Sequence, residues 1–249
     1  MMNQASVNRG DNSVRSNEAI HVMVDAIACC ISTAVRNGWG VSDAAPIGIS
    51  MSDFEAAIRV FGEPLIARTR KAGAEVLTPT ESQCAKKASL SKAYGLGAFP
   101  YHTDAAHWPR PPRYLVLYGY SDEQERPTVL VPWVDVLDRL SSVNSDAVMR
   151  ATFLVRSGKH SHYCAMNLGE PHLVRLDFTC MTPATEDGYA LKRECAEYLL
   201  SVLPEKVYWR PGRVAVIDNW AILHGRGLRE SIGERILYRA LLDVRGDLR

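Results

Sequence analysis

The chain has 249 residues, of which 47% are hydrophobic and 23% charged, and its formal net charge is +1. This is the composition of an ordinary globular protein. The near-neutral charge gives no electrostatic reason to expect nucleic acid or a membrane surface as a partner. No C-x-x-C pair occurs among the six cysteines, which indicates reduced thiols. Because the polar amino terminus also lacks the apolar core of a signal peptide, we predict a cytoplasmic protein.

The amino-terminal part is predicted to contain a disordered tail followed by a helix. Residues 1–15 are polar and rich in Asn, Ser and Arg, whereas residues 16–249 are predicted to form a single domain. From Ser16, apolar residues recur at helical spacing until Asn37. The longest apolar stretch in this helix is interrupted by Asp25 and is too short to span a bilayer.

Two further helices are predicted from capping residues and periodicity. Ser52 and Glu55 have the spacing of a capping box, and Gly62 ends that second helix. A longer helix is predicted over residues 186–203, where Pro204 stops it.

The rest of the chain is rich in short apolar segments with β-branched and aromatic residues. These segments predict strands at 114–118, 128–131, 152–155, 172–178, 213–217 and 235–242. Many short strands with a few helices outside them favour a mainly β fold, with a double-sheet jelly-roll core and flanking helices. No glycine-rich nucleotide-binding motif is present.

The first motif whose side chains could bind a metal ion is His102-Thr-Asp104. In an extended segment, residues two apart point to the same side, so one metal ion could bridge this imidazole and this carboxylate. The pair is a good ligand set for Fe(II), Mn(II) or Zn(II). A single H-x-D is weak evidence in a chain with seven histidines.

A second motif places His224 after an apolar segment and a polar turn, with Gly225 and Gly227 beside it. The glycines allow the backbone to pass close to a neighbour, and Asp218 and Asn219 are predicted to shape the turn. Two histidines and one carboxylate form the facial triad of non-haem iron oxygenases.

The last predicted strand carries Arg235 and Arg239 on one face. Two arginines on the inward face of an apolar strand need anionic partners, and a guanidinium pairs well with a carboxylate. For Arg239, a surface salt bridge is the alternative.

Several other polar residues have more ordinary interpretations. His160-Ser-His162 is a rival metal pair, but its Ser-Gly-Lys context predicts a solvated loop. His107 is predicted either to line a substrate pocket or to belong to a structural aromatic corner. Arg175 is predicted to pair with Asp177 or another acid.

Together, the motifs resemble the taurine dioxygenase (TauD/TfdA-like) branch of the 2-oxoglutarate oxygenases. That branch carries H-x-D, a threonine about two dozen residues later, a distal histidine, and an arginine after 10 to 13 intervening residues. Here Thr128 follows Asp104 by 24 residues, and ten residues separate His224 from Arg235. The resemblance extends from about Leu96 to Val244.

The resemblance implies a double-stranded β-helix (jelly-roll, cupin-like) fold and a complete active site. It implies that His102, Asp104 and His224 bind Fe(II), and that Thr128 and Arg235 bind the distal carboxylate of 2-oxoglutarate. Arg239 then matches a second family arginine, which contacts the co-substrate or an anionic group of the substrate.

The implied activity is hydroxylation of an unactivated C–H bond, with consumption of O2 and release of succinate and CO2. The predicted substrate is a small polar metabolite, amino-acid-like or anionic. Desaturation, cyclisation and epimerisation remain open as outcomes. The alternative is a non-redox metalloenzyme, a hydrolase or lyase on the same β scaffold, which would need the triad but not Arg235 and Thr128.

Overall fold

The computed structural model describes residues 7–66, 73–86, 89–121, 126–158, 160–166, 173–228 and 235–243, with the backbone alone at 7–13, 143, 144 and 157. Helices within these ranges are α1 (Val7–Asn37), α2 (Met51–Arg59), α3 (Leu90–Tyr94), α4 (Trp133–Arg150) and α5 (Glu186–Ser201). The strands are β1 (Trp39–Ser42), β2 (Pro64–Leu65), β3 (Ala74–Leu77), β4 (Tyr114–Gly119), β5 (Thr128–Pro132), β6 (Phe153–Ser157), β7 (His160–Cys164), β8 (Met181–Pro183), β9 (Glu205–Val207), β10 (Val214–Asp218), β11 (Ile222–Arg226) and β12 (Leu237–Leu242).

The strands are arranged in three antiparallel sheets. The largest has the order β1-β10-β4-β12-β2, with β3 also paired to β12. A second sheet has the order β11-β5-β9, and a third has the order β7-β6-β8. The fold is therefore mainly β with helices on the outside, as the sequence predicted.

Alternation along the strands of the large sheet separates two layers of the core. In β4, Val116 and Tyr118 pack with the helices α1 and α2, whereas Leu115 and Leu117 face the second sheet. Leu237 and Leu241 of β12 contribute to the same inner layer. Because residues two apart share a face, Arg239 also points towards the space between the two sheets.

A third layer covers the opposite side of the second sheet. Val131 of β5 and Leu223 of β11 pack there against apolar residues of α4 and α5. In β11, side chains therefore alternate between this layer and the inner one. Ile222 lies in the inner layer, and the pleat places His224 on that same side.

Helix α1 begins earlier than predicted. It starts at Val7, so residues 7–15 are helical and not part of the predicted disordered tail, while residues 1–6 lie outside the described ranges. The segment Val14–Asn37 is long and apolar enough to cross a membrane by length and composition alone. In this fold Met23, Ile27 and Ile31 are fully buried against the large sheet.

Helix α2 is capped differently from the prediction. Its N-cap is Ser50, whose hydroxyl accepts from the Asp53 amide and donates to the Asp53 carboxylate at 2.8 Å. The capping residue is thus Ser50, two residues before the predicted Ser52, and its hydroxyl makes both contacts with Asp53.

Two further predictions were wrong. The loop predicted around His160 and His162 is strand β7, paired with β6. The strand predicted over 172–178 is absent within residues 173–178, because its backbone groups bond to separate partners. The Arg175 amide donates to the Met166 carbonyl at 2.9 Å, and the Leu176 amide donates to the Thr103 hydroxyl at 3.1 Å.

Candidate metal centre and anion site

His102 and His224 face each other across one rung of backbone pairing. The His102 amide donates to the His224 carbonyl at 2.8 Å, and the His224 amide donates back to the His102 carbonyl at 3.1 Å. His224 lies within β11, opposite Leu130 of β5. The segment of His102 therefore extends the second sheet by a short bridge, which fixes the two imidazoles 4.6 Å apart between ring centroids.

Asp104 lies between the two imidazoles. Its carboxylate oxygens are 3.7 Å from His102 Nε2 and 3.8 Å from His224 Nε2. One ligand atom from each of the three residues lies within 4.8 Å of the others, and all three residues are buried. Metal–ligand bonds of about 2.1 Å at right angles need ligand atoms about 3 Å apart, so small side-chain adjustments would complete the site.

The hydrogen bonding of His102 leaves a ligand atom free. Its Nδ1 lies 3.0 Å from the Pro100 carbonyl oxygen, which can only accept a hydrogen bond. Nδ1 therefore carries the proton, and the lone pair of the neutral ring is on Nε2, towards Asp104. His224 Nδ1 is buried and has no hydrogen-bond partner among the described residues.

Arg239 provides the counter-charge for Asp104. Its Nη1 atom donates to both carboxylate oxygens of Asp104 at 3.0 Å, and its Nη2 atom donates to Glu75 at 2.6 Å. Burial alone would raise the pKa of Asp104, but Arg239 and the two histidines outweigh it and hold that pKa well below its usual range. The third ligand is therefore a carboxylate at neutral pH.

The two histidines respond differently to this carboxylate. Burial lowers the pKa of His102, but the hydrogen bond and charge of Asp104 outweigh it, so the net shift is upward. Burial and the charge of His102 lower the pKa of His224.

Asn219 holds the backbone of Asp104 in place. Its Oδ1 accepts from the Asp104 amide at 2.8 Å, and its Nδ2 donates to the Asp104 carbonyl at 3.1 Å and to the Pro112 carbonyl at 2.8 Å. Asn219 thus joins the turn before β11 to the H-x-D segment. The sequence placed Asn219 in the turn but gave no signal of this contact.

Gly225 is required by the close approach of these two segments. A Cβ atom at this position would lie 2.7 Å from the carbonyl oxygen of Phe99 and 3.2 Å from that of Pro100. Both distances are shorter than ordinary contacts. The sequence-based explanation of the glycine beside His224 therefore holds in the structure.

Thr128 and Arg235 meet next to the candidate metal site. Arg235 Nη2 donates to the Thr128 hydroxyl at 2.9 Å, and the same hydroxyl accepts from Trp209 Nε1 at 3.0 Å. Arg235 has no carboxylate partner among its described contacts, and its buried Nε makes no hydrogen bond there. Burial and the positive charges of Arg226 and Arg126 lower the pKa of Arg235 to about 9. Such a site favours binding of an anion.

One cavity of about 840 Å³ joins these two groups of residues. All six residues singled out from the sequence line it, namely His102, Asp104, His224, Thr128, Arg235 and Arg239. His107 also lines the cavity, whereas Trp108 packs against the inner apolar layer. The volume is within the range of small-molecule binding pockets.

The alternative metal pair does not form a second site, and two acidic residues near the cavity were not predicted. His162 Nε2 lies 2.9 Å from Arg175 Nη1, and Arg175 Nη2 donates to the Pro109 carbonyl at 2.8 Å. The predicted pairing of Arg175 with Asp177 or another acid is therefore not observed among the described residues. Asp177 instead lines the cavity, and Glu75 contacts Arg239, which no local sequence pattern indicated.

The fold is shared with solved oxygenases. An asparagine oxygenase in complex with Fe(II), 3-hydroxyasparagine and succinate matches with a TM-score of 0.70 and 16% identity, over 91% of this chain and 82% of the other. PvcB from Pseudomonas aeruginosa matches with a TM-score of 0.66 and 15% identity, over 86% and 78%. A taurine dioxygenase from Burkholderia xenovorans matches with a TM-score of 0.62 and 16% identity, over 87% and 80%.

These similarities establish the class of scaffold. PvcB is an Fe, alpha-ketoglutarate dependent oxygenase, so the chain has a fold used by iron- and 2-oxoglutarate-dependent oxygenases. The resemblance to the taurine dioxygenase branch is supported at the level of the fold. No protein-family model and no curated protein sequence matches this chain significantly.

Proposed function

We propose that this protein is an Fe(II)- and 2-oxoglutarate-dependent dioxygenase. The observation that carries the proposal is the shared cavity, which places a two-histidine, one-carboxylate cluster beside an arginine–threonine pair without a described anionic partner. A non-redox hydrolase or lyase would use the cluster but has no need for that pair, so we do not favour this alternative.

The donor set suits a divalent iron ion. His102 Nε2, His224 Nε2 and one oxygen of Asp104 would hold it, leaving the other coordination positions for small molecules. When bound, iron with 2-oxoglutarate and O2 supplies the oxidising power for C–H hydroxylation, with formation of succinate and CO2. The protein's own contribution is to bind, orient and exclude water.

Arg235 and Thr128 would orient the co-substrate by its distal carboxylate. A guanidinium and a hydroxyl together provide two directed donors for one carboxylate. Trp209 already donates to the Thr128 oxygen, which leaves the hydroxyl proton available for an acceptor in the cavity. This arrangement selects a dicarboxylate over a monocarboxylate keto acid.

The polar residues of the cavity favour a small zwitterionic substrate, such as an amino acid. Arg239 is a cation and Asp177 an anion on the same cavity surface. They would pair with a carboxylate and an ammonium group, although Arg239 must then share its donors with Asp104 and Glu75. Among similar folds, the asparagine oxygenase binds 3-hydroxyasparagine, and OrfP binds (3S)-hydroxy-L-Arg.

We also propose a double-stranded β-helix core and a cytoplasmic location for this enzyme. The facing sheets β1-β10-β4-β12-β2 and β11-β5-β9 enclose an apolar inner layer, which supports a double-stranded β-helix core within one domain spanning residues 16–249. We expect a cytoplasmic enzyme with a small-molecule substrate and no nucleic-acid or membrane partner.

An anaerobic titration tests this function. Fe(II) and 2-oxoglutarate together should produce a weak visible charge-transfer band, and aerobic incubation should give succinate without added substrate. His224→Ala should abolish both signals, whereas His160→Ala, at an exposed histidine of β7, should leave them unchanged. Absence of the band and of succinate with the unmodified protein would reject the proposal.

A further inference from the structure

Glu75 of β3 is the second carboxylate that contacts Arg239. The pairing of β3 with β12 places these two residues directly opposite each other, and the side chains of such cross-strand partners lie close enough to interact. Glu75 Oε1 accepts a hydrogen bond from Arg239 Nη2 at 2.6 Å. The register of the sheet therefore builds this contact, because a shift of β3 by one residue would turn Glu75 to the other face.

Arg239 divides its donors between two carboxylates. Its Nη1 atom donates to both oxygens of Asp104 at 3.0 Å, its Nη2 atom donates to Glu75, and its buried Nε atom makes no hydrogen bond with the described residues. A guanidinium and a carboxylate often pair through two nitrogens, in a fork of parallel hydrogen bonds. The pair of Arg239 with Asp104 departs from this geometry, since one nitrogen serves both oxygens.

This departure affects Asp104 as a metal ligand. Hydrogen bonds from a cation compete with a metal ion for the oxygen lone pairs of a carboxylate, and one shared nitrogen competes less than a two-nitrogen fork does. Glu75 also contributes its charge. Two carboxylates and one guanidinium carry two negative charges and one positive charge, so the cluster has a net charge of −1. This charge favours a cation beside Asp104.

We propose that Glu75 is a positioning residue, which keeps Arg239 from forming a two-nitrogen fork with Asp104 and so keeps Asp104 available as a metal ligand. Glu75 acts through Arg239, which is the partner of its carboxylate among the described residues. The inference rests on the proposed function, because it concerns the metal site of that proposal. It adds to that site a residue from β3, outside the three ligands and the co-substrate pair.

Zinc binding to the metal-free protein tests this role. Competition with a chelator measures the Zn(II) affinity and needs neither 2-oxoglutarate nor turnover. Glu75→Gln removes the charge that holds Nη2, so that Arg239 can turn both nitrogens towards Asp104. We expect the zinc affinity to fall by about five-fold or more, within the range of coupling between residues in contact. Glu75→Ala should show the same fall, and it provides the measurement if the glutamine variant does not fold.

A double variant separates this role from two others. If Glu75 acted on the ion through its charge alone, its loss would weaken zinc binding in an Arg239→Met background as well. If Glu75 acts through Arg239, Glu75→Gln should change the zinc affinity by less than about two-fold in that background. A purely structural role would lower the stability of the metal-free protein in urea and leave the zinc affinity unchanged.

The matched control is Glu205→Gln, which removes the same charge at an exposed position of β9 and should bind zinc as the parent does. Absence of zinc binding in the parent, or binding that survives His224→Ala, would reject the metal site and with it the proposed function. Zinc binding that requires His224 but is unchanged in both Glu75 variants would reject the role of Glu75 and leave the proposed function standing. An equal fall in the parent and Arg239→Met backgrounds would reject that role too.

Discussion

Arg239 donates through a single nitrogen to both carboxylate oxygens of Asp104, at 3.0 Å each. The pair lies in the space between two sheets, where the Arg239 side chain is 14% exposed and that of Asp104 12%. A buried carboxylate would be costly there without this cation. Arg239 therefore supports the candidate metal site as well as facing the cavity.

We expect Arg239→Met to destabilise the metal-free protein by about 3–5 kcal/mol, because it leaves a buried carboxylate unpaired. A divalent cation should restore part of this loss, since it neutralises Asp104 in place of the guanidinium. Chemical denaturation with and without Zn(II) measures both effects. Arg59→Met removes an exposed ion pair with Glu63 and should cost about 0.5 kcal/mol or less. An equal gain from zinc in the Arg239 variant and the parent would contradict the expectation.

Thr128→Val should affect both stability and co-substrate binding. It removes the oxygen that accepts from Trp209 Nε1 and from Arg235, and leaves the indole N–H buried without a partner. The expected loss of stability is about 1–3 kcal/mol, with weaker binding of 2-oxoglutarate in a calorimetric titration. Thr128→Ser keeps the hydroxyl and should recover most of the affinity. Failure of serine to do better than valine would argue against a hydroxyl role.

Acid stability should depend on Asp43, which follows β1. Hydrogen bonds from Arg213 and Arg210 lower its pKa to about 2 from an ordinary value of 3.8. Since the folded-state pKa is the lower one, the stabilisation is complete above about pH 4 and is lost as the pH falls towards 2. The carboxylate is 38% exposed, so solvent screening limits its contribution to about 1 kcal/mol.

Urea denaturation of Asp43→Asn and the parent at several pH values measures this contribution. The two proteins should differ most near pH 6 and converge as the pH approaches 2. Asp146→Asn, at an exposed helical ion pair, should show little difference from the parent at any of these pH values. A difference for Asp43→Asn that stayed constant with pH would show that charge is not its cause.

Gly225→Ala should disturb the metal centre without altering any of its ligands. The added Cβ atom would meet the carbonyl oxygen of Phe99 at 2.7 Å, which pushes the segment of His102 away from β11. Crowding of this kind costs about 1–3 kcal/mol. We also expect weaker binding of Zn(II) by competition with a chelator. Unchanged zinc affinity would mean that the His102 segment and β11 accommodate the added methyl group without displacing the two imidazoles.

The parts of the fold that could be predicted were those with strong local patterns. Strand β4 is a continuous apolar run of six residues. Helix α5 has an apolar face and an N-terminal cap at Thr185. Each of these patterns lies within a few neighbouring residues. Helix α4 was missed, because its middle is a polar Ser-Ser-Val-Asn-Ser-Asp segment that favours helix only weakly. Its buried residues Val136, Leu140 and Ala147 keep helical spacing, which was the available signal.

Within the site, motifs identified the chain positions but not the contacts between them. The spacing of His102, Asp104, Thr128, His224 and Arg235 was enough to group them. In contrast, the contacts of Glu75 with Arg239 and of Asn219 with Asp104 join residues more than 100 positions apart. Such contacts depend on how the sheets pack, and a single sequence carries no record of that packing.

The backbone rung shared by His102 and His224 has a consequence for metal identity. Because backbone pairing holds the two imidazoles side by side, their approximate separation is set by the main chain and not by an ion. A nitrogen and oxygen ligand set of this type follows the general order of affinities, in which nickel, copper and zinc bind more tightly than ferrous iron. For the proposed iron enzyme, we therefore expect other divalent metals to compete for the site. Selection of iron would then depend on cellular metal supply and not on the ligand set.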